Sequence, residues 1–168
     1  MDRDSLIANL VDHYKNPRHQ GRLEDADFAM PGGNPGCGDI VTIYVAAERE
    51  AGRVDKVTFE GTGCTISQAA ASILLKKVNR DRPTFEEVLE LSYDEMLDML
   101  GREVVGFRHS CATLALGTLK AAVRSIEMDR KLRAAGYSDD EIRELRDQVA
   151  KQASGEGLVV GNSVNDES

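Results

Sequence analysis

A chain of 168 residues, 41% of them hydrophobic, holds enough apolar material for one compact domain and a helical appendix, and too little for two full domains. A formal net charge of -8 with only three histidines argues against a nucleic-acid-binding surface, which needs clustered, uncompensated Lys and Arg. No apolar run approaches the roughly 18 residues that span a bilayer, and the charged start MDRDSLIANL lacks a leader's apolar stretch, so the expected location is the cytoplasm, with no membrane partner.

The first predicted element is an amphipathic helix from Ser5 to Lys15, with Leu6, Ile7, Leu10, Val11 and Tyr14 at helical spacing, Asp4 as its cap and Asn16-Pro17 as its stop. Residues 18–38 are rich in Gly, Pro and Asp and end in PGGNPGCGD; they read as an ordered loop. Ile40 to Ala47 and Lys56 to Glu60 are β-branched and aromatic runs joined by a charged segment with Gly52 near its tip, which predicts a hairpin. Gly61-Thr62-Gly63 closes the second strand. A helix then follows from Thr65 to Val78, with Ser67, Ala69, Ala70, Ala71 and Ser72 permitting close packing.

Two short helices are expected at Thr84 to Leu91 and Ser92 to Leu100, each opening with Ser or Thr and carrying Glu three residues on, the capping-box spacing. Cys111 to Lys131 places Leu114, Leu116, Leu119, Ala122, Val123 and Ile126 along one side of a long helix. Ala134 to Tyr137 is a break. Ser138 to Ala153 reads as a charged helix with Ile142, Leu145 and Val149 on one face, and residues 155–168 read as a flexible tail. The expected organisation is thus a main domain over 1–133, a helical extension over 134–154 and the tail.

Three cysteines, Cys37, Cys64 and Cys111, are spaced by 27 and 47 residues. An odd number in a cytoplasmic chain does not suggest a disulfide framework. Each falls where regular structure ends: Cys37 in a Gly-rich loop, Cys64 between strand and helix, Cys111 at a helix start. Flanking glycines let backbone wrap a bound group, and open helix N-termini favour the thiolate. Cysteines that only fill space need neither property.

Asp39, two residues beyond Cys37, offers a hard oxygen ligand, and three thiolates with one carboxylate complete a tetrahedral zinc site or a two-iron cluster. A lasting electron-transfer cluster more usually has four cysteines, so the mixed set points to a cluster that leaves. His109 is an alternative fourth ligand, and Arg108 a cation able to stabilise a thiolate or persulfide. His13 and His19 read as surface or packing residues. GGNPGCG lacks the Lys and Ser or Thr of a phosphate loop, and no Ser, His and Asp arrangement stands out.

In order, HYKNPRHQG, GNPGCGD, GTGCTISQAAAS and SCATLALGTLKAA resemble the segments of IscU and NifU N-terminal scaffolds, over about residues 5 to 130. The resemblance implies an α+β fold, a three-stranded antiparallel sheet with helices packed on one side and the cysteines converging at one exposed end. The missing strand is sought near Asp27 to Met30 or in the loop that follows. It further implies assembly of an iron-sulfur cluster, 2Fe-2S or a 4Fe-4S shared in a homodimer, from iron and from persulfide supplied by a cysteine desulfurase, then transfer to apo-proteins. Carried over by position, Cys37, Cys64 and Cys111 are ligands and sulfur acceptors, and Asp39 the labile ligand. Catalytic sulfur chemistry falls to Cys37 and Cys111, with Asp39 as the release switch.

The sequence departs from the family in two places. IscU proteins carry His directly before the third cysteine, preceded by a Leu-Pro-Pro-Val-Lys segment read by a chaperone; here the run is Val104-Val105-Gly106-Phe107-Arg108-His109-Ser110-Cys111. Arg three residues before Cys, followed by Cys-Ala-Thr-Leu-Ala, is similar to SufU, a zinc-bound persulfide acceptor and the alternative reading. The long SufU insertion between the second and third cysteines is absent, which favours the scaffold.

Overall fold

The computed structural model describes residues 1–154, so the tail expected over 155–168 lies outside the described residues. Helix α1 (Arg3–Lys15) is followed by strands β1 (Phe28–Asn34), β2 (Asp39–Glu48) and β3 (Arg53–Thr62). The helices α2 (Thr65–Asp81), α3 (Phe85–Glu90), α4 (Tyr93–Leu100), α5 (Arg102–Val105), α6 (His109–Ala134) and α7 (Asp139–Ser154) complete the chain. The strands form one antiparallel sheet in the order β1-β2-β3, with Asn34 opposite Asp39 at one end and Phe28 opposite Val45 towards the other.

The expected hairpin is present, extended by a few residues at each end and shifted in register between Ala46 and Ala47. The third strand, sought near Asp27 to Met30 or in the loop that follows, is β1, and it runs through Pro31-Gly32-Gly33, where the residue pattern alone reads as a loop. Its glycines serve close approach: a Cβ at Gly32 would strike Thr118 Oγ1 on α6, so β1 lies against that helix only because the position is bare.

The main core lies between the sheet and the helices. Phe28, Met30, Val41, Ile43, Val45, Val57 and Phe59 meet Leu74, Leu75, Leu116, Leu119, Val123 and Ile126 there, all buried. Small residues Ala69, Ala70, Ala71 and Ser72 are buried on α2, as their size suggested. On the opposite face of the sheet, Leu23 and Ala26 pack on Tyr44 and Ala46. The outer edge of β3 is also covered, since residues 19–21 bond to Phe59 and the Asn79 side chain bonds to both backbone groups of Val57.

Both short helices start with the expected capping boxes, at Thr84 with Glu87 and at Ser92 with Glu95. The cap of α1 is Asp2, which accepts the Ser5 N–H, rather than Asp4, because the helix begins two residues earlier than its apolar pattern. The four-residue α5 escaped the sequence reading. A further reciprocal cap, Ser138 with Glu141, opens α7. This helix packs on α6 through buried Ile142 and an ion pair from Arg146 to buried Asp129, and reaches β1 through the Arg146 guanidinium 5.0 Å above the Phe28 ring. Leu145 and Val149, expected on the same face, remain exposed.

His13 is a core residue, 3% exposed, with Nδ1 2.7 Å from Ser72 Oγ, which also accepts the Arg18 N–H. Burial first, then the charges of Arg18 and Lys76, push its pKa below the usual histidine value despite Asp12. Burial and Lys56 act likewise on His19. The unfolded chain therefore binds protons, below about pH 6.5, that the folded chain refuses, and stability rises with pH through that window. Denaturation midpoints are expected to fall between about pH 7 and pH 5.5, and to fall less in His13→Gln. Equal falls in both proteins would show that His13 contributes nothing.

Candidate metal and sulfur site

Four side chains meet where the sheet ends beside the starts of α2 and α6. Cys37 sits in the tight β1–β2 turn, its backbone N–H bonded to Asn34 O at 3.1 Å, and it is exposed. Asp39, the first residue of β2, is only 2% exposed. Cys64 is the N-cap of α2 and half-buried, and Cys111 is buried in the first turn of α6.

The geometry is close. Cys111 Sγ lies 3.4 Å from Cys37 Sγ. Donor atoms of Cys37, Asp39 and Cys111 all lie within 4.8 Å of one another. Cys64 joins through Asp39: its N–H donates to Asp39 Oδ1 at 3.0 Å, and its Sγ stands 3.8 Å from Oδ2. Space for that carboxylate exists because residue 63 has no side chain, a Cβ there falling 2.7 Å from Asp39 Oδ1.

Two further residues organise the site: Asn34, not singled out in the sequence, and Ser67, read there only as a small packing residue. Asn34 Nδ2 donates to Ser110 Oγ at 3.0 Å and approaches Cys111 Sγ at 3.8 Å, tying the turn to α6. Ser67 presents its N–H to Cys64 Sγ at 3.5 Å and donates its hydroxyl to Cys64 O. The spacing Cys-x-x-Ser at a helix start is the cap signal that foretells this contact. His109 does not join the cluster; it is the exposed first residue of α6. Arg108, just before it, is also exposed and makes no side-chain capping bond.

The thiols differ electrostatically. Burial pushes the Cys64 thiol up, but hydrogen bonds from Ser67, Cys111 and the Ile66 N–H outweigh it and hold Cys64 below the ordinary thiol value. Cys111 moves the other way. Burial, hydrogen bonds to Asp39 and Cys37, and the neighbouring Cys64 all push its thiol above the ordinary value. The donor set suits a thiophilic ion: around tetrahedral zinc, thiolate sulfurs stand about 3.8 Å apart, near the 3.4 Å between Cys37 and Cys111 Sγ. Three sulfurs and one carboxylate equally satisfy iron in a small cluster.

Fold and site together define an α+β protein that gathers three cysteines and a carboxylate at one end of its sheet. Residues 7–133 match the family described as the NifU-like N terminal domain, and the chain belongs to that family. An iron-sulfur cluster assembly scaffold protein, IscU 1 of Archaeoglobus fulgidus, is 33% identical over 114 residues, covering 68% of this chain and 71% of that protein. The zinc-dependent sulfurtransferase SufU of Bacillus subtilis is 31% identical over 140 residues, covering 74% of this chain and 93% of its own length. A solved structure of a hypothetical protein aligns with TM-score 0.62 and 31% identity, covering 73% of this chain and 99% of that one. The N-terminal NifU-like protein of Brucella abortus shares the fold, at TM-score 0.60 and 21% identity over 71% of this chain and 92% of its own.

Proposed function

We propose that this protein is a scaffold on which iron and desulfurase-derived sulfur are joined into an iron-sulfur cluster that is then passed to apo-proteins. The observation that carries this reading is the convergence of exposed Cys37 with Cys64, Cys111 and buried Asp39 at one end of the fold. The cluster is cargo here. Cys37, Cys64 and Cys111 supply thiolates, and Asp39 supplies the fourth, more labile oxygen ligand. A 2Fe-2S cluster suits one such ligand set, whereas 4Fe-4S calls for a homodimer.

A second reading is favoured by Arg108 standing three residues before Cys111, together with the similarity to SufU. In it, zinc occupies the same four ligands and Cys37 accepts persulfide. In both readings the sulfur donor is a cysteine desulfurase and the work is cytoplasmic. Among the described residues no helix is long and apolar enough to cross a membrane.

Protein purified without oxygen, after co-expression with its desulfurase, is expected to contain near-equal iron and acid-labile sulfide. Both are expected to disappear in the Cys37→Ser, Cys64→Ser and Cys111→Ser variants. Stoichiometric zinc without sulfide would replace the scaffold with the sulfurtransferase.

A further inference from the structure

The three thiols are unequal in access and in pairing. Cys37 is exposed on a turn, whereas Cys111 is 1% exposed and lies behind it. Their sulfurs stand 3.4 Å apart, which is the separation of reacting atoms in a near-attack arrangement. Cys64 also hydrogen-bonds with Cys111, but its sulfur is engaged by the Ser67 N–H and its backbone is tethered to Asp39. We propose that Cys111 is the resolving thiol for a persulfide carried on Cys37, releasing its outer sulfur as sulfide while a Cys37–Cys111 disulfide closes. The proposal rests on sulfur delivery as stated under the proposed function.

A partner's persulfide reaches Cys37 and not the buried Cys111. Once Cys37 carries the extra sulfur, Cys111 Sγ faces the inner sulfur, the former Cys37 Sγ, from the protein side. The outer sulfur extends about 2 Å further, from a residue whose thiol is open to solvent. Which sulfur is attacked decides the product. Attack on the inner sulfur forms the Cys37–Cys111 bond and breaks the bond to the outer sulfur. That atom takes the electron pair and the Cys111 proton and leaves as hydrogen sulfide.

Two cysteine sulfurs are oxidised and the delivered sulfur is reduced, so electrons and atoms balance with no other reductant. A dithiol reductant then reopens the disulfide and restores both ligands. The step converts sulfur from the persulfide level, in which it arrives, to the sulfide level that a cluster contains. Asp39 and Cys64 remain free of covalent change throughout.

The test uses the full chain, metal-free and without oxygen, treated with glutathione persulfide and followed by intact mass, peptide mapping and sulfide release. Wild type is expected to release one sulfide per chain while losing two hydrogens, with Cys37 and Cys111 peptides joined. Cys111→Ser is expected to keep the added sulfur on Cys37 and release sulfide about a hundredfold more slowly, the loss of a positioned reactant. Circular dichroism confirms folding of each variant.

Retention of the added sulfur by wild type, its appearance on Cys111 without a disulfide, or undiminished release from Cys111→Ser would each overturn the resolving role. Co-expression with the desulfurase reads the scaffold function separately. Iron and sulfide bound there, with no disulfide formed here, would remove this step and leave the scaffold standing.

Discussion

Phe59→Ala is expected to lower the folding free energy by about 4 kcal/mol, the upper range for emptying an aromatic site in a core that cannot collapse. Phe59 is fully buried in the middle strand residues of β3, opposite Ile43. Its backbone N–H and C=O are both engaged by residues 19–21 at 3.0 and 2.8 Å, so the strand is held on both edges and the cavity cannot close by sliding it. Urea denaturation reads the effect as a lower midpoint with an unchanged slope. Far below its midpoint the variant is still expected to load iron and sulfide, because the four donors lie on the turn, strand start and helix starts beyond the cavity. A midpoint within error of wild type would mean that the sheet and α2 do not share one core.

Asp39 carries the second large effect, through two separable roles. Its Oδ1 accepts the Cys64 N–H, and its Oδ2 stands with the thiols. Asp39→Ala orphans that N–H and is expected to cost about 2 kcal/mol. Asp39→Asn keeps a carbonyl acceptor and should cost less. Both remove the anionic oxygen, which under the proposed function binds iron less persistently than thiolate and gives departing cargo its first exchangeable ligand. Both variants are therefore expected to pass a cluster to apo-ferredoxin about tenfold more slowly, equivalent to about 1.4 kcal/mol of barrier. Unchanged transfer in both would remove the release role, and equal instability in both would remove the tether.

Much of this architecture was legible because local signals and packing agree. The helices α2 and α6 carry their apolar residues on the faces that are buried, whereas on α1 only Leu10 of the apolar set is buried and Ile7, Val11 and Tyr14 are exposed; the Thr84 and Ser92 boxes mark their helix starts to the residue. β1 was harder, because Pro31, Gly32 and Gly33 have poor strand propensity, and the crossing of α6 beside Thr118 that requires Gly32 is not visible locally. α5 has four residues and no side-chain cap, so nothing local announces it. At the site, the positions of the cysteines between regular elements were readable, while the bond from Cys64 N–H to Asp39 spans 25 residues and has no local trace. His13 shows the same limit: its apolar-looking helix face is a pattern, but its bond to Ser72 crosses 59 residues.

α7 is fastened at Asp129 and Phe28, whereas Cys111 opens the other end of α6. Eighteen residues of helix separate Asp129 from Cys111, about 27 Å of rigid rod. The molecule is therefore polarised like a tool with a handle. The three thiols stand at one pole, and a fused module, affinity tag or immobilising surface joined through α7 is expected at the other, away from them.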